Sequence, residues 1–140
     1  MFTTGMSQSR VLIVEDEEAI RALLVDFLTT SSHLVVESAR DGVEALHQLA
    51  TQRYDVIVLD LMMPMMSGVD LLDSLSAMTT DPSLTTPPFL PAVIVITAAP
   101  DDFLPREQLR NRFPTLVRDV LRKPLDIAAL TSAIEACCSA

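Results

Sequence analysis

An α/β fold, with a parallel sheet covered by helices on both faces, is the architecture this chain predicts, and three observations carry it. Short apolar runs alternate with stretches of helical period. Apolar residues make up 49% of the chain but aromatic ones only 4%, and polar, mostly acidic residues stand directly behind the apolar runs. An aliphatic core suits a parallel sheet, whose strands are buried on both faces. The 140 residues suffice for one compact domain and leave little room for a second.

Four runs read as buried strands: 11–14 (VLIV), 34–36 (LVV), 56–59 (VIVL) and 92–96 (AVIVI). Each is short, β-branched and bounded by polar or turn residues. A weaker fifth run lies within 116–121, interrupted by Arg118 and Asp119. Between the runs the period changes. Ile20, Leu23, Leu24, Phe27 and Leu28 follow the i, i+3, i+4, i+7, i+8 spacing that gives a helix one apolar face. Val43, Leu46, Leu49 and Ala50 repeat the pattern, as do Val69, Leu72 and Leu75. A fourth helix is expected over 106–113, starting after Pro105, a residue tolerated in a first turn. Asp126 is the candidate N-cap of a last helix that buries Ile127, Leu130 and Ile134. The order is βαβαβαβαβα, which implies right-handed crossovers and a parallel sheet.

Residues 79–91 (TTDPSLTTPPFLP) break this rhythm with four prolines and read as a long loop, either a partner contact or a neutral insertion. Residues 1–9 read as a disordered or frayed tail ahead of a domain over 10–138. That tail lacks the charged and apolar regions of a signal peptide. No apolar run approaches the ~20 residues that span a bilayer. The formal charge of −9 speaks against direct nucleic-acid binding. The adjacent Cys137 and Cys138 form neither a disulfide framework nor a metal-ligand spacing, which fits a reducing cytoplasm. His33 and His47 lack a ligand pattern and read as surface residues.

In open parallel sheets, ligands bind beyond the carboxyl ends of the strands. Glu15 and Asp16 follow the first run, Asp60 the third and Thr97 the fourth, while Lys123 precedes Pro124 after the fifth. Three carboxylates at one sheet edge repel one another, and each loses hydration. A hard divalent cation relieves both effects. Mg²⁺ suits the set because it takes oxygen ligands and keeps waters that a phosphate can replace. The Thr97 hydroxyl is a donor for a phosphoryl oxygen, and the Lys123 ammonium is a point cation for its charge. Singly, each residue has an ordinary reading as a strand-end acid, a strand-end threonine or a solvated lysine. All five occur at the ends of four strands, and that coincidence points to one site.

These residues stand in Val11-Leu12-Ile13-Val14-Glu15-Asp16-Glu17, Asp60-Leu61-Met62-Met63-Pro64-Met65-Met66-Ser67-Gly68, Ile94-Val95-Ile96-Thr97-Ala98 and Lys123-Pro124. With these four segments in this order, the chain resembles the receiver domains of bacterial two-component response regulators over about residues 9–137. The resemblance implies a flavodoxin-like (βα)5 three-layer sandwich with a five-stranded parallel sheet in the order 2-1-3-4-5. It implies that Asp60 is the phosphoacceptor and that Thr97 and Lys123 bind the phosphoryl group. Glu15, Asp16, Asp60 and the Met62 backbone carbonyl would be the ligands of Mg²⁺. The implied partners are a sensor histidine kinase or histidine phosphotransfer protein and a downstream protein effector, with a homodimer as a further option. Many family members carry Asp where Glu15 stands, and the longer side chain would reach the cation through water.

Three departures from the family pattern bear on output. Val120 stands three positions before Lys123, where the family usually has a switching Tyr or Phe. Arg112-Phe113-Pro114-Thr115 replaces the usual Gly-Ala turn, and the 79–91 loop is longer than usual. Met62 and Ala99, at positions that tune acyl-phosphate lifetime, cannot orient an attacking water, so slow self-dephosphorylation is expected. Two other classes compete. An aspartyl-phosphate phosphatase would carry a second Asp at the position of Met62. A pseudo-receiver acting only as a binding module would not need all five polar residues.

Overall fold

In the computed structural model, which describes residues 8–31, 33–61, 68–80, 91–98 and 106–138, strands and helices alternate along the chain. They are β1 (Ser9–Val14), α1 (Glu18–Leu28), β2 (Leu34–Ala39), α2 (Gly42–Thr51), β3 (Val56–Asp60), α3 (Gly68–Thr80), β4 (Ala92–Thr97), α4 (Arg106–Arg112), β5 (Val117–Arg122) and α5 (Ile127–Cys138). All strand pairings are parallel, in the order β2-β1-β3-β4-β5. The strand order reverses beside β1, where neighbouring connections leave on opposite faces and open a crevice.

The period-2 alternation of strand side chains builds the three layers. Leu12, Val14, Ile57, Leu59, Val93 and Val95 point to one face and pack against α2, α3 and α4 through Ala45, Leu72, Leu75 and Leu109. Val11, Ile13, Val56, Val58, Ile94 and Ile96 point to the other and meet Leu24 and Leu28 of α1 and Leu130 and Ile134 of α5. Every residue of β3 and β4 is buried, which is why those segments read as unbroken apolar runs. Truncating one of these leucines to alanine costs ~2–5 kcal/mol.

The edge strand β5 explains the weak fifth run. Val117 pairs with Val93 and Asp119 with Ile94, so Arg118 is the extra residue of a bulge. The Arg118 carbonyl accepts from Arg110 Nη2 at 2.8 Å, tying α4 to the strand. Arg112 Nη2 donates to both oxygens of Asp73 at 3.0 Å, tying α4 to α3. In place of a Gly-Ala turn, Phe113 is buried in the core with Leu109 and Leu116, and its N–H and C=O bond Leu109 and Val117. Asp126 caps α5 by accepting from the N–H groups of Ala128 and Ala129.

Several boundaries and faces differ from expectation. Ser9 already belongs to β1 and pairs with Leu34, because the edge strand β2 gives its backbone a partner; residues 1–7 lie outside the described residues. Helix α3 continues through Thr80, two residues into the expected loop, and the rest of that loop to Leu90 lies outside the described residues. Helix α4 stops at Arg112, one residue early, as Phe113 turns into the core. Helix α1 buries Leu24 and Leu28 but leaves Leu23 62% and Phe27 45% exposed. The sheet covers only part of a helix circumference, and these two residues fall beyond its edge. On α2, Val43 and Ala50 are likewise exposed, while Ala45 takes the buried position.

Candidate functional site

Strand ends deliver the polar residues to one rim. Glu15 directly follows β1, Asp60 closes β3, Thr97 closes β4 and Lys123 directly follows β5. Glu15, Asp60 and Thr97 are almost wholly buried at 2%, 3% and 3% exposure, whereas Asp16 is exposed. One carboxylate oxygen each from Glu15, Asp16 and Asp60 lies within 4.8 Å of the others. Lys123 Nζ stands 3.3 Å from both Glu15 Oε1 and Asp60 Oδ2, bridging the two buried acids. Met62, expected to offer its carbonyl, and Ala99 lie outside the described residues.

Backbone contacts hold this rim together. The Glu15 N–H donates to Ala39 O at 3.1 Å, extending the β1–β2 ladder past its last pair. The Glu17 N–H donates to Glu15 Oε2 at 3.2 Å, and Arg21 Nη1 donates to the Glu15 carbonyl at 2.9 Å. The Lys123 N–H donates to Thr97 O at 3.0 Å, which registers the lysine against the end of β4. The Lys123–Pro124 peptide is cis. Gly68 closes the segment after Asp60: its N–H donates to Leu61 O at 3.0 Å. A Cβ at Gly68 would stand 2.7 Å from Leu61 Cα and 3.0 Å from Asp60 O. The glycine is required here by close backbone approach.

The electrostatics follow from crowding. Burial, followed by the hydrogen bond and repulsion from Asp60, pushes the Glu15 carboxyl from the ordinary 4.5 up to about 7; the Glu17 N–H and Lys123 act against this. Burial works against the Lys123 ammonium, but the Asp60 and Glu15 carboxylates together outweigh it and raise its pKa. A rim of oxygen donors under mutual repulsion, with an ammonium at one side, matches what a hard divalent cation and an anionic group require.

Beside Lys123 the surface is apolar. A cavity of about 560 Å³ is lined by Ile20, Leu23, Leu24, Pro124, Leu125 and Ile127, with Lys123 at its margin.

A model of the response regulator receiver domain matches residues 11–135. The chain belongs to this family. Response regulator MprA of Mycobacterium tuberculosis (strain H37Rv) is 36% identical over 135 residues, covering 85% of this chain and 54% of MprA. The chain thus spans about half the length of that relative. Among solved structures, the receiver domain (CheY-like) from Methylobacillus flagellatus has a TM-score of 0.74 at 25% identity, covering 94% of this chain and 99% of that one. TrrA from Thermotoga maritima, solved in complex with Mg²⁺-BeF, shares the fold with a TM-score of 0.72 at 24% identity, covering 93% and 99%. The expected flavodoxin-like sheet order, 2-1-3-4-5, is the order found in this receiver domain. No helix among its described residues is long and apolar enough to cross a membrane.

Glu15, Asp16, Asp60 and Lys123 come together at this rim, and Thr97 stands at the end of the adjacent strand. Arg21, which no motif in the sequence marks, also contributes through its bond to the Glu15 carbonyl. Its signal was an arginine in the helix following an acid pair, whose reach to a backbone carbonyl no spacing rule reveals.

Proposed function

We propose that this receiver domain accepts a phosphoryl group on Asp60 from a phosphohistidine of a partner, in a reaction supported by Mg²⁺. The carrying observation is the meeting of three carboxylates and one ammonium at the sheet's carboxyl edge. Glu15, Asp16 and Asp60 would hold the cation, with the Met62 carbonyl as a further ligand. When bound, Mg²⁺ supplies charge neutralisation for the transferring oxygens.

The chain's own residues do the rest. An Asp60 carboxylate oxygen attacks phosphorus, an O–P bond forms, and the P–N bond to the donor imidazole breaks with its electron pair leaving on nitrogen. Lys123, held charged between Asp60 and Glu15, stands beside the reacting oxygen and offsets its developing charge. The Thr97 hydroxyl, at the end of the adjacent strand, would donate to a phosphoryl oxygen. The added charge and acceptors then bias the segment after β4, and with it the α4–β5–α5 face that a protein effector or a second copy would read. The apolar cavity bounded by Leu23 and Leu125 lies beside Lys123, where a partner presenting its phosphohistidine has to approach. A cytoplasmic site of action fits such a partner.

Beryllofluoride with Mg²⁺, followed by amide NMR, tests this. The expected result is saturable shifts at residues 15–16, 60–61, 97 and 123 in wild type and none in Asp60→Asn. Shifts that persist unchanged in the variant would refute the assignment. A pseudo-receiver would show no shifts, and a phosphatase would turn over added phosphate esters.

A further inference from the structure

Two of the three rim carboxylates sit on a turn whose conformation is held by a side chain one helical turn away. Arg21, half-buried in α1, donates from Nη1 to the backbone carbonyl of Glu15 at 2.9 Å. That oxygen belongs to the peptide plane joining Glu15 to Asp16. The plane is rigid, so its tilt sets ψ of Glu15 and φ of Asp16 together. Those two angles decide the direction in which the Asp16 carboxylate leaves the backbone relative to that of Glu15. On the Glu15 side other contacts help: its N–H is bound to Ala39 O, and its carboxylate accepts from the Glu17 N–H. Asp16 is exposed, so packing does little to hold it. The arginine has a firm base, since its own N–H donates to Glu17 O at 2.9 Å.

We infer that Arg21 is a positioning residue for the cation site, holding Asp16 in register with Glu15 and Asp60 by gripping the carbonyl between the two acids. The inference rests on the reading of the rim as a Mg²⁺ site. Groups that orient metal ligands from outside typically account for 10–100-fold in affinity. The sign of the effect separates this role from a simple charge effect. A guanidinium near a cation site repels the cation, so on Coulomb grounds its removal tightens binding. Loss of positioning weakens it.

Calorimetric titration of Mg²⁺ alone into the full chain decides between them. Arg21→Ala is expected to bind about tenfold more weakly than wild type. Arg21→Lys, which keeps a long charged donor, is expected to recover most of the loss. Amide shifts between the metal-free wild type and Arg21→Ala should centre on residues 15–17, with the melting temperature little changed. Unchanged or tighter binding in Arg21→Ala overturns the inference. If that variant does not fold, Arg21→Gln keeps a polar side chain too short for the grip: weaker binding supports positioning, and equal or tighter binding refutes it. A wild-type chain that binds no Mg²⁺ at all removes the cation-site reading and this inference with it.

Discussion

Glu15 sits where burial and a neighbouring carboxylate act in the same direction, and its titration reports the state of the rim. An acid whose pKa is higher in the folded chain than in the unfolded one binds more protons when folded. Its contribution to stability is complete below about 4.5 and is lost as pH rises through about 7. Carbonyl NMR of the metal-free chain should therefore give a Glu15 midpoint near 7. Saturating Mg²⁺ should move it down, and Mg²⁺ should bind more tightly above that pH than below it, because binding displaces the proton. A Glu15 midpoint that stays at the ordinary 4.5 would contradict the crowding described here. Gly68 gives a second prediction. A methyl group there would press on the Leu61 backbone at 2.7 Å, so Gly68→Ala should destabilise the fold by ~1–3 kcal/mol in chemical denaturation. The sequence shows this glycine only as the end of the segment after Asp60; its close approach to the Leu61 backbone is a packing contact no local motif carries. The polar residues at the rim were legible because each stands at or just past the end of an apolar run. Arg21 was not, because its partner is a backbone oxygen.

Helix α1 is the element on which sequence and structure part most. Its five periodic apolar residues predict one buried face, yet Leu23 and Phe27 remain largely exposed. Periodicity reports which side of a helix is apolar and not how much of that side the sheet can cover. Of these two, Leu23 lines the cavity beside Lys123. If a partner docks there to present its phosphohistidine, Leu23→Glu should slow transfer from a histidine kinase about tenfold, or ~1.4 kcal/mol. Uptake from acetyl phosphate, which needs no docking, should stay at the wild-type rate. Equal slowing of both donors would show that the substitution damages the site itself. On the far side of the sheet, Val120 is buried in the core with Leu109. A buried valine has no ring to swing between inside and outside. Output would then pass through the backbone of β4 and β5, and through an α4 held by Arg110 and Arg112.

At the scale of the whole molecule, the alternation of runs and periods carried the topology, because a parallel sheet with short crossovers has few arrangements. The central strands β3 and β4 were easiest to read, being buried throughout; the bulged edge strand β5 was hardest, since Arg118 interrupts its pattern. The same topology makes the rim. Residues far apart in sequence, such as Glu15 and Lys123, come within 3.3 Å only because parallel strands end at one edge. The proposed switch is a property of that edge. One measurement tests it most directly: intact mass of the full chain after acetyl phosphate with and without Mg²⁺, for wild type and Asp60→Asn. The proposed switch predicts a single Mg²⁺-dependent phosphoryl adduct on wild type and none on the variant. An adduct of equal extent on Asp60→Asn, or one that forms as readily without Mg²⁺, would contradict it.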